Sequence, residues 1–124
     1  MREILFRGKR KDNDEWVYGS LITERNMFDG NLMTMHIQDI EEPYDDNLID
    51  DETVGQFTGL TDKNGVKVFE GDIVRIFDGE YFSGVIKYSN EQGSFTVDDT
   101  SLHYWISDIE VIGNIHDNPE LLNE

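Results

Sequence analysis

The stretch Ile73-Val74-Arg75-Ile76-Phe77-Asp78-Gly79-Glu80-Tyr81-Phe82-Ser83-Gly84-Val85-Ile86-Lys87-Tyr88 reads as a β-hairpin. β-Branched and aromatic residues, which suit a pleated and half-buried surface, fill both arms. Asp78-Gly79 supplies the positive φ that a tight turn between them requires. The same grammar extends outward in both directions. Asp12-Asn13-Asp14, Asp29-Gly30, Asn64-Gly65 and Asn90-Glu91-Gln92-Gly93 punctuate the chain, and strands are predicted over 4–7, 15–23, 32–38, 53–60, 66–69, 73–77, 81–88, 95–98 and 108–116. Asn118-Pro119 opens a short terminal helical turn, a capping residue followed by Pro at the first helical position. Twelve Ile, eight Val and no Ala agree with a strand-rich protein. The expected fold is mainly β: an antiparallel meander forming a small, partly open SH3-like barrel with a short C-terminal helical turn. One domain is expected over residues 1–124, with 1–52 giving N-terminal strands plus an acidic loop and 53–124 the barrel core.

Charge is the most unusual property of the 124-residue chain. Ten Lys and Arg face 27 Asp and Glu, a net charge of −17. A field of that sign repels phosphates and anionic lipid headgroups, so neither direct nucleic-acid binding nor a membrane surface is expected. Five of the ten cations (Arg2, Arg7, Lys9, Arg10, Lys11) fall in the first eleven residues. From Asn26 to Asp62 there is no Lys or Arg and there are ten acids, eight of them between Asp39 and Glu52. The segment 40–52 reads as a solvated acidic connection, with Asp45, Asp46, Asp50, Asp51 and Glu52 as its acidic surface. A sharper reading of the same residues is mimicry of a phosphate backbone.

Chemistry is sparse. The chain has no Cys, which excludes disulfides, thiol nucleophiles and Cys-ligated metal. His36, His103 and His116 have no metal-ligand spacing, and Asp62-Lys63-Asn64-Gly65 lacks the further acids of a calcium loop. That tetrapeptide reads instead as a type I′ turn. No phosphate loop, nucleophile elbow or dinucleotide fingerprint is present, so no catalytic residue, metal or cofactor is assigned. The absence of a leader-like N-terminus and of an apolar run long enough for a membrane span points to the cytoplasm.

The densest run of specific residues is Thr53-Val54-Gly55-Gln56-Phe57-Thr58-Gly59-Leu60-Thr61-Asp62-Lys63-Asn64-Gly65, followed by Glu70-Gly71-Asp72-Ile73-Val74. Gly71 is expected to take an unusual φ and Asp72 to bond its own backbone. Gln56, Thr58, Glu70 and Asp72 are candidates to ring a small polar pocket. Together with Arg2-Glu3-Ile4, Phe6-Arg7-Gly8-Lys9, Glu15-Trp16-Val17-Tyr18-Gly19 and the closing Val111-Ile112-Gly113-Asn114-Ile115-His116-Asp117-Asn118-Pro119-Glu120-Leu121-Leu122, these blocks resemble the YopX family over nearly the whole chain. Asp51 departs from the pattern, where Pro is expected before Glu52-Thr53. Residues 24–50 match no family pattern, so a partner read there belongs to this protein alone.

The resemblance implies a small protein of bacteriophages and prophages, acting in the bacterial cytoplasm, with no established activity and no catalytic residue to carry over. The expected function is a non-enzymatic module that binds a host or phage protein. Two rivals stand beside it: an acidic DNA-mimic inhibitor of a nucleic-acid-binding protein, and a small-molecule or nucleotide-binding protein built on Gln56, Thr58, Glu70 and Asp72. The open edges of a β meander leave a homo-oligomer possible.

Overall fold

Val17 and Leu21, four apart on one long strand, share a face with Ile37, which pairing places opposite Leu21 on the next. A computed structural model describes residues 3–39, 41 and 46–123. The chain is mainly β, with 55% of it in strand and every pairing antiparallel. In order come β1 (Phe6–Lys9), β2 (Trp16–Arg25), β3 (Leu32–Asp39), β4 (Asp46–Ile49), a 3-10 turn (Asp51–Thr53) and β5 (Gly55–Thr61). There follow β6 (Lys67–Phe69), β7 (Asp72–Phe77), β8 (Tyr81–Ser89), β9 (Ser94–Val97), β10 (Thr100–Ser101), the single helical turn α1 (Leu102–Trp105), β11 (Ile109–Asn114) and a second 3-10 turn (Pro119–Asn123). The chain divides into two compact units, Met1–Gln56 and Phe57–Glu124. The division falls inside β5.

In the first unit the strands lie in the order β4-β3-β2-β1-β5, the last contact made by Phe6 opposite Gln56 and Arg7 opposite Gly55. Its core is Val17, Ile37 and Ile49, with Phe6, Leu21 and Val54 packed around them. Gly8 faces this cluster, and a Cβ there would lie 2.5 Å from Ile49 Cγ2 and 3.2 Å from Ile37 Cδ1. Beyond β1 the chain turns onto β4: the Asp50 N–H donates to Lys9 O (2.9 Å) and the Lys11 N–H to Leu48 O (3.0 Å), around a bridge of Arg10 to Ile49. Thr53 completes the corner. Its hydroxyl donates to Asp50 O (2.6 Å) and accepts from the Lys9 N–H (2.8 Å).

The second unit has a sheet in the order β10-β9-β8-β7-β11 over a core of Val68, Val74, Ile76, Ile86, Val97, Leu102 and Ile109. The second half of β5 pairs with β6, Phe57 opposite Phe69 and Thr61 opposite Lys67. β10 and β11 are the two edges of the sheet and do not pair, so this meander is open and no closed barrel forms. β10 and α1 carry no strong propensity signal in the sequence. The helical turn exists because it drops Leu102, 2% exposed, into the core.

The acidic connection is corrected in part. Residues 40 and 42–45, including Asp45, lie outside the described residues. Asp46–Ile49, however, is a strand paired with β3, and Ile49 is 1% exposed. Buried Asn47 accommodates its amide by donating from Nδ2 to Ile37 O (3.2 Å). The surrounding acids hid one apolar residue, Ile49, that only pairing with β3 makes part of the core.

Two outcomes follow from this corner. Ile49→Ala is expected to cost about 2–5 kcal/mol in denaturant unfolding, as for other buried aliphatic truncations. Leu48→Ala, at a site 40% exposed, should cost under about 1 kcal/mol. A solvated loop would make both neutral. Asp51 is the first residue of its 3-10 turn, and Asp50 before it is extended (φ −69°, ψ 112°), the backbone a residue preceding Pro prefers. Asp51→Pro is therefore expected to raise stability by about 0.4–1 kcal/mol through the unfolded state, and a lower thermal midpoint would contradict it.

Candidate functional site

Asp62 begins the turn between β5 and β6. Its carboxylate accepts three backbone N–H groups. Oδ1 accepts from the N–H groups of Asn64 (2.8 Å) and Val66 (2.9 Å), and Oδ2 accepts from the Val111 N–H of β11 (2.9 Å). The Lys63 N–H adds a bond to Ile109 O (3.2 Å). One side chain thus closes a turn and ties it to a strand 49 residues away. The turn is not type I′. Gly65 alone has positive φ (+82°), its N–H donates to Asp62 O (3.0 Å), and Asn64 stays on the negative side, the pattern of a type I turn closed by a left-handed Gly. Asp62 overrides the Asn-Gly preference because three N–H groups converge on its oxygens.

Burial pushes the Asp62 carboxyl up, but the donated N–H groups of Val111, Val66 and Asn64, helped by Lys63, outweigh it and hold its pKa below the ordinary 3.8.

The other motif residues serve the same kind of purpose. Gly71 takes φ +91°, as its place in the turn requires; its N–H donates to Ile86 O (2.9 Å) and its carbonyl accepts from the Ile115 N–H (3.0 Å). Asp72, 2% exposed, accepts from the Phe69 N–H (2.7 Å), three residues back along the chain. Thr58 donates to Val68 O (2.8 Å) and accepts from the Leu60 N–H (3.2 Å), filling the irregularity in β5. Glu70 is half-buried on the turn before β7. Gln56, also half-buried, belongs to the first unit while the other three belong to the second. Thr58 and Asp72 both spend their oxygens on backbone of β6, which is framework chemistry.

The closing block repeats the pattern. Asn114 Oδ1 accepts from the N–H groups of His116 (3.0 Å) and Asp117 (2.9 Å), and Asn118 Oδ1 accepts from the Asn114 N–H (3.3 Å). A Cβ at Gly113 would sit 2.6 Å from that Asn118 oxygen, so glycine is what admits the amide.

Of the acidic surface, Asp50 caps the 3-10 turn by accepting from the Glu52 N–H (3.2 Å), while Asp51 and Glu52 are exposed. Asp46 lies on β4. Among the described residues no three His, Asp or Glu gather as a metal site, and no helix is long and apolar enough to cross a membrane.

What sequence reasoning missed is the end of the β2–β3 hairpin. The last residues of β2 are exposed, and of the β3 residues at this end Met33 is exposed and Leu32, Thr34 and Met35 half-buried, so the hairpin ends in an arm. At its tip Met27 is 87% exposed and Phe28 92%. The loop is nonetheless tightly built. Asn26 Oδ1 accepts from the N–H groups of Phe28 (2.8 Å) and Asp29 (3.3 Å), its N–H donates to Asn31 O (2.8 Å), and its carbonyl accepts from the Gly30 N–H (2.9 Å). Asp29 Oδ1 accepts from the Asn31 N–H (2.9 Å), and the Arg25 guanidinium donates to Gly30 O (3.2 Å). Polar side chains fold the loop without help from its two apolar ones. The signal in the sequence was Met-Phe placed directly before Asp-Gly, apolar residues where a turn needs none.

The second unit has a comparable but smaller display. Phe77 and Tyr81, 4.9 Å apart, flank the β7–β8 turn, with Arg75 over the Tyr81 ring.

The molecule is therefore an antiparallel β protein of two units whose motif residues hold backbone to backbone. The family model described as YopX protein matches residues 5–123, and the chain belongs to the YopX family. Among solved structures it is similar to the crystal structure of protein EF1440 from Enterococcus faecalis, at TM-score 0.62 and 25% sequence identity, over 98% of this chain and 99% of that one. No curated protein matches the chain.

Asp62→Asn is expected to lower stability by about 1.5–3 kcal/mol at pH 7, because an amide turns one N–H donor against another. The Asp62 pKa is lower folded than unfolded, so its contribution is present above the unfolded value and is lost as pH falls through the folded one. The stability gap between wild type and Asp62→Asn, measured by urea unfolding from pH 7 to pH 3, should shrink below about pH 4. A gap that widens toward acid would contradict the assignment.

Proposed function

We propose that this protein is a non-enzymatic binding module of a phage or prophage, acting in the bacterial cytoplasm on a host or phage protein. The observation that carries the reading is the arm: an ordered hairpin tip that leaves Met27 and Phe28 in water. Single exposed apolar residues are ordinary. Two adjacent ones, held by a loop whose hydrogen bonds do not use their side chains, stand ready to be buried against something else. Burying two such side chains is worth roughly 3–6 kcal/mol before the costs of association. The backbone bonds of Thr58 and Asp72, two of the four pocket candidates, also support it.

The test is affinity capture of tagged protein from host lysate at low and moderate salt, with each partner re-bound as purified protein. A second bait carries Asn or Gln at Asp45, Asp46, Asp50, Asp51 and Glu52. A purified partner that binds both baits at moderate salt is the expected outcome. Binding to a nucleic-acid-binding protein that is lost in the second bait would replace this reading with electrostatic mimicry. No re-binding partner at either salt would overturn it.

A further inference from the structure

We infer that the β2–β3 tip is a plug: Met27 and Phe28 enter an apolar pocket, rimmed by Lys and Arg, on the partner protein. This rests on the binding-module reading and names the site and the chemistry of its occupant.

Two observations select that occupant. The tip is built before any partner arrives. Asn26 and Asp29 satisfy the loop's N–H groups, that of Phe28 included, with their own oxygens, and the two apolar side chains take no part. A rigid loop loses little freedom on docking, the property that makes a few side chains suffice as an anchor. A pocket, rather than a flat surface, is what two neighbouring side chains almost wholly in solvent can fill. The second observation is charge. Beyond Lys11 the first unit carries one cation, Arg25, against thirteen Asp and Glu. Arg25 is tied to the loop's Gly30 carbonyl, and Glu24 and Asp29 flank the tip with exposed acids. The rim facing them is therefore basic, and it steers the encounter.

Charge also decides against the other apolar surface close at hand, a second copy of this chain. Each copy brings −17, and docking tip to tip would set Glu24 and Asp29 against their own kind. The Phe77–Tyr81 pair is a poorer anchor, since the two rings already cover each other and Arg75 lies over one of them.

The experiment uses the full chain with a benzophenone amino acid at Met27 and Phe28 intact. The protein is irradiated in host lysate and the crosslinked peptide of the partner is identified. Expected is a crosslink to an apolar pocket with Lys and Arg outnumbering Asp and Glu within about one Debye length, ~10 Å. The paired variant Met27→Ser with Phe28→Ser should bind the purified partner on the order of 100-fold more weakly with an unchanged thermal midpoint. Weakening by salt should be shared by wild type and variant.

Undiminished binding of the serine variant would overturn the plug and leave the module reading standing. So would a crosslink to a second copy of this chain, or to an acidic or flat polar surface. Wild type that binds no partner would overturn both.

Discussion

The second unit depends on one carboxylate. Asp62 receives three backbone N–H groups, two from its own turn and one from β11. A turn and a strand far apart in sequence share one ion, so neither can shift without leaving donors unmet in a place that is 6% exposed. An unmet buried donor costs more than a typical hydrogen bond contributes, so such a knot sets the register of everything attached to it. The open sheet β10-β9-β8-β7-β11 has β11 at one edge, and Asp62 takes the Val111 N–H at the point where the β11–β7 register shifts.

Gly71, Asp72, Asn114 and Asn118 extend the same principle. Each is small enough to let backbone approach, or carries an oxygen that replaces a missing strand partner. The first unit has its own version in Thr53 and Asp50, which hold the corner between β1 and β4. The blocks by which the chain is known as a YopX protein are thus explained by backbone accounting. A side chain whose oxygens are already filled by N–H groups is a poor ligand for anything else, which moves the search for function to side chains the framework does not use.

The arm obeys the opposite rule. Its loop is self-sufficient in hydrogen bonds and its large apolar residues contribute nothing to folding. A tip whose apolar side chains the framework does not use can change without disturbing the core.

Much was determined by the sequence alone. Alternating Val and Ile, glycine-centred turns and the lack of Ala dictated antiparallel strands, and eight of the nine expected strands needed only small changes of boundary, as with 73–77, which became Asp72–Phe77. The first, 4–7, moved two residues onward to Phe6–Lys9. The family was legible because its blocks are local and short. Tertiary structure decided the rest. Ile49 is core only because β3 stands beside it, and Leu102 makes a helical turn where propensity alone makes none. Asp62 took the turn away from Asn64-Gly65 because Val111 arrives from 49 residues on. Thr58 and Asp72 bond to a carbonyl and an N–H of β6, partners the sequence does not show. The physical reason is common to all four: a polar or apolar atom's partner is fixed by long-range proximity, and a one-dimensional pattern records only near neighbours. The exposed tip was hidden for the same reason, since only a folded body shows which apolar residues it leaves outside.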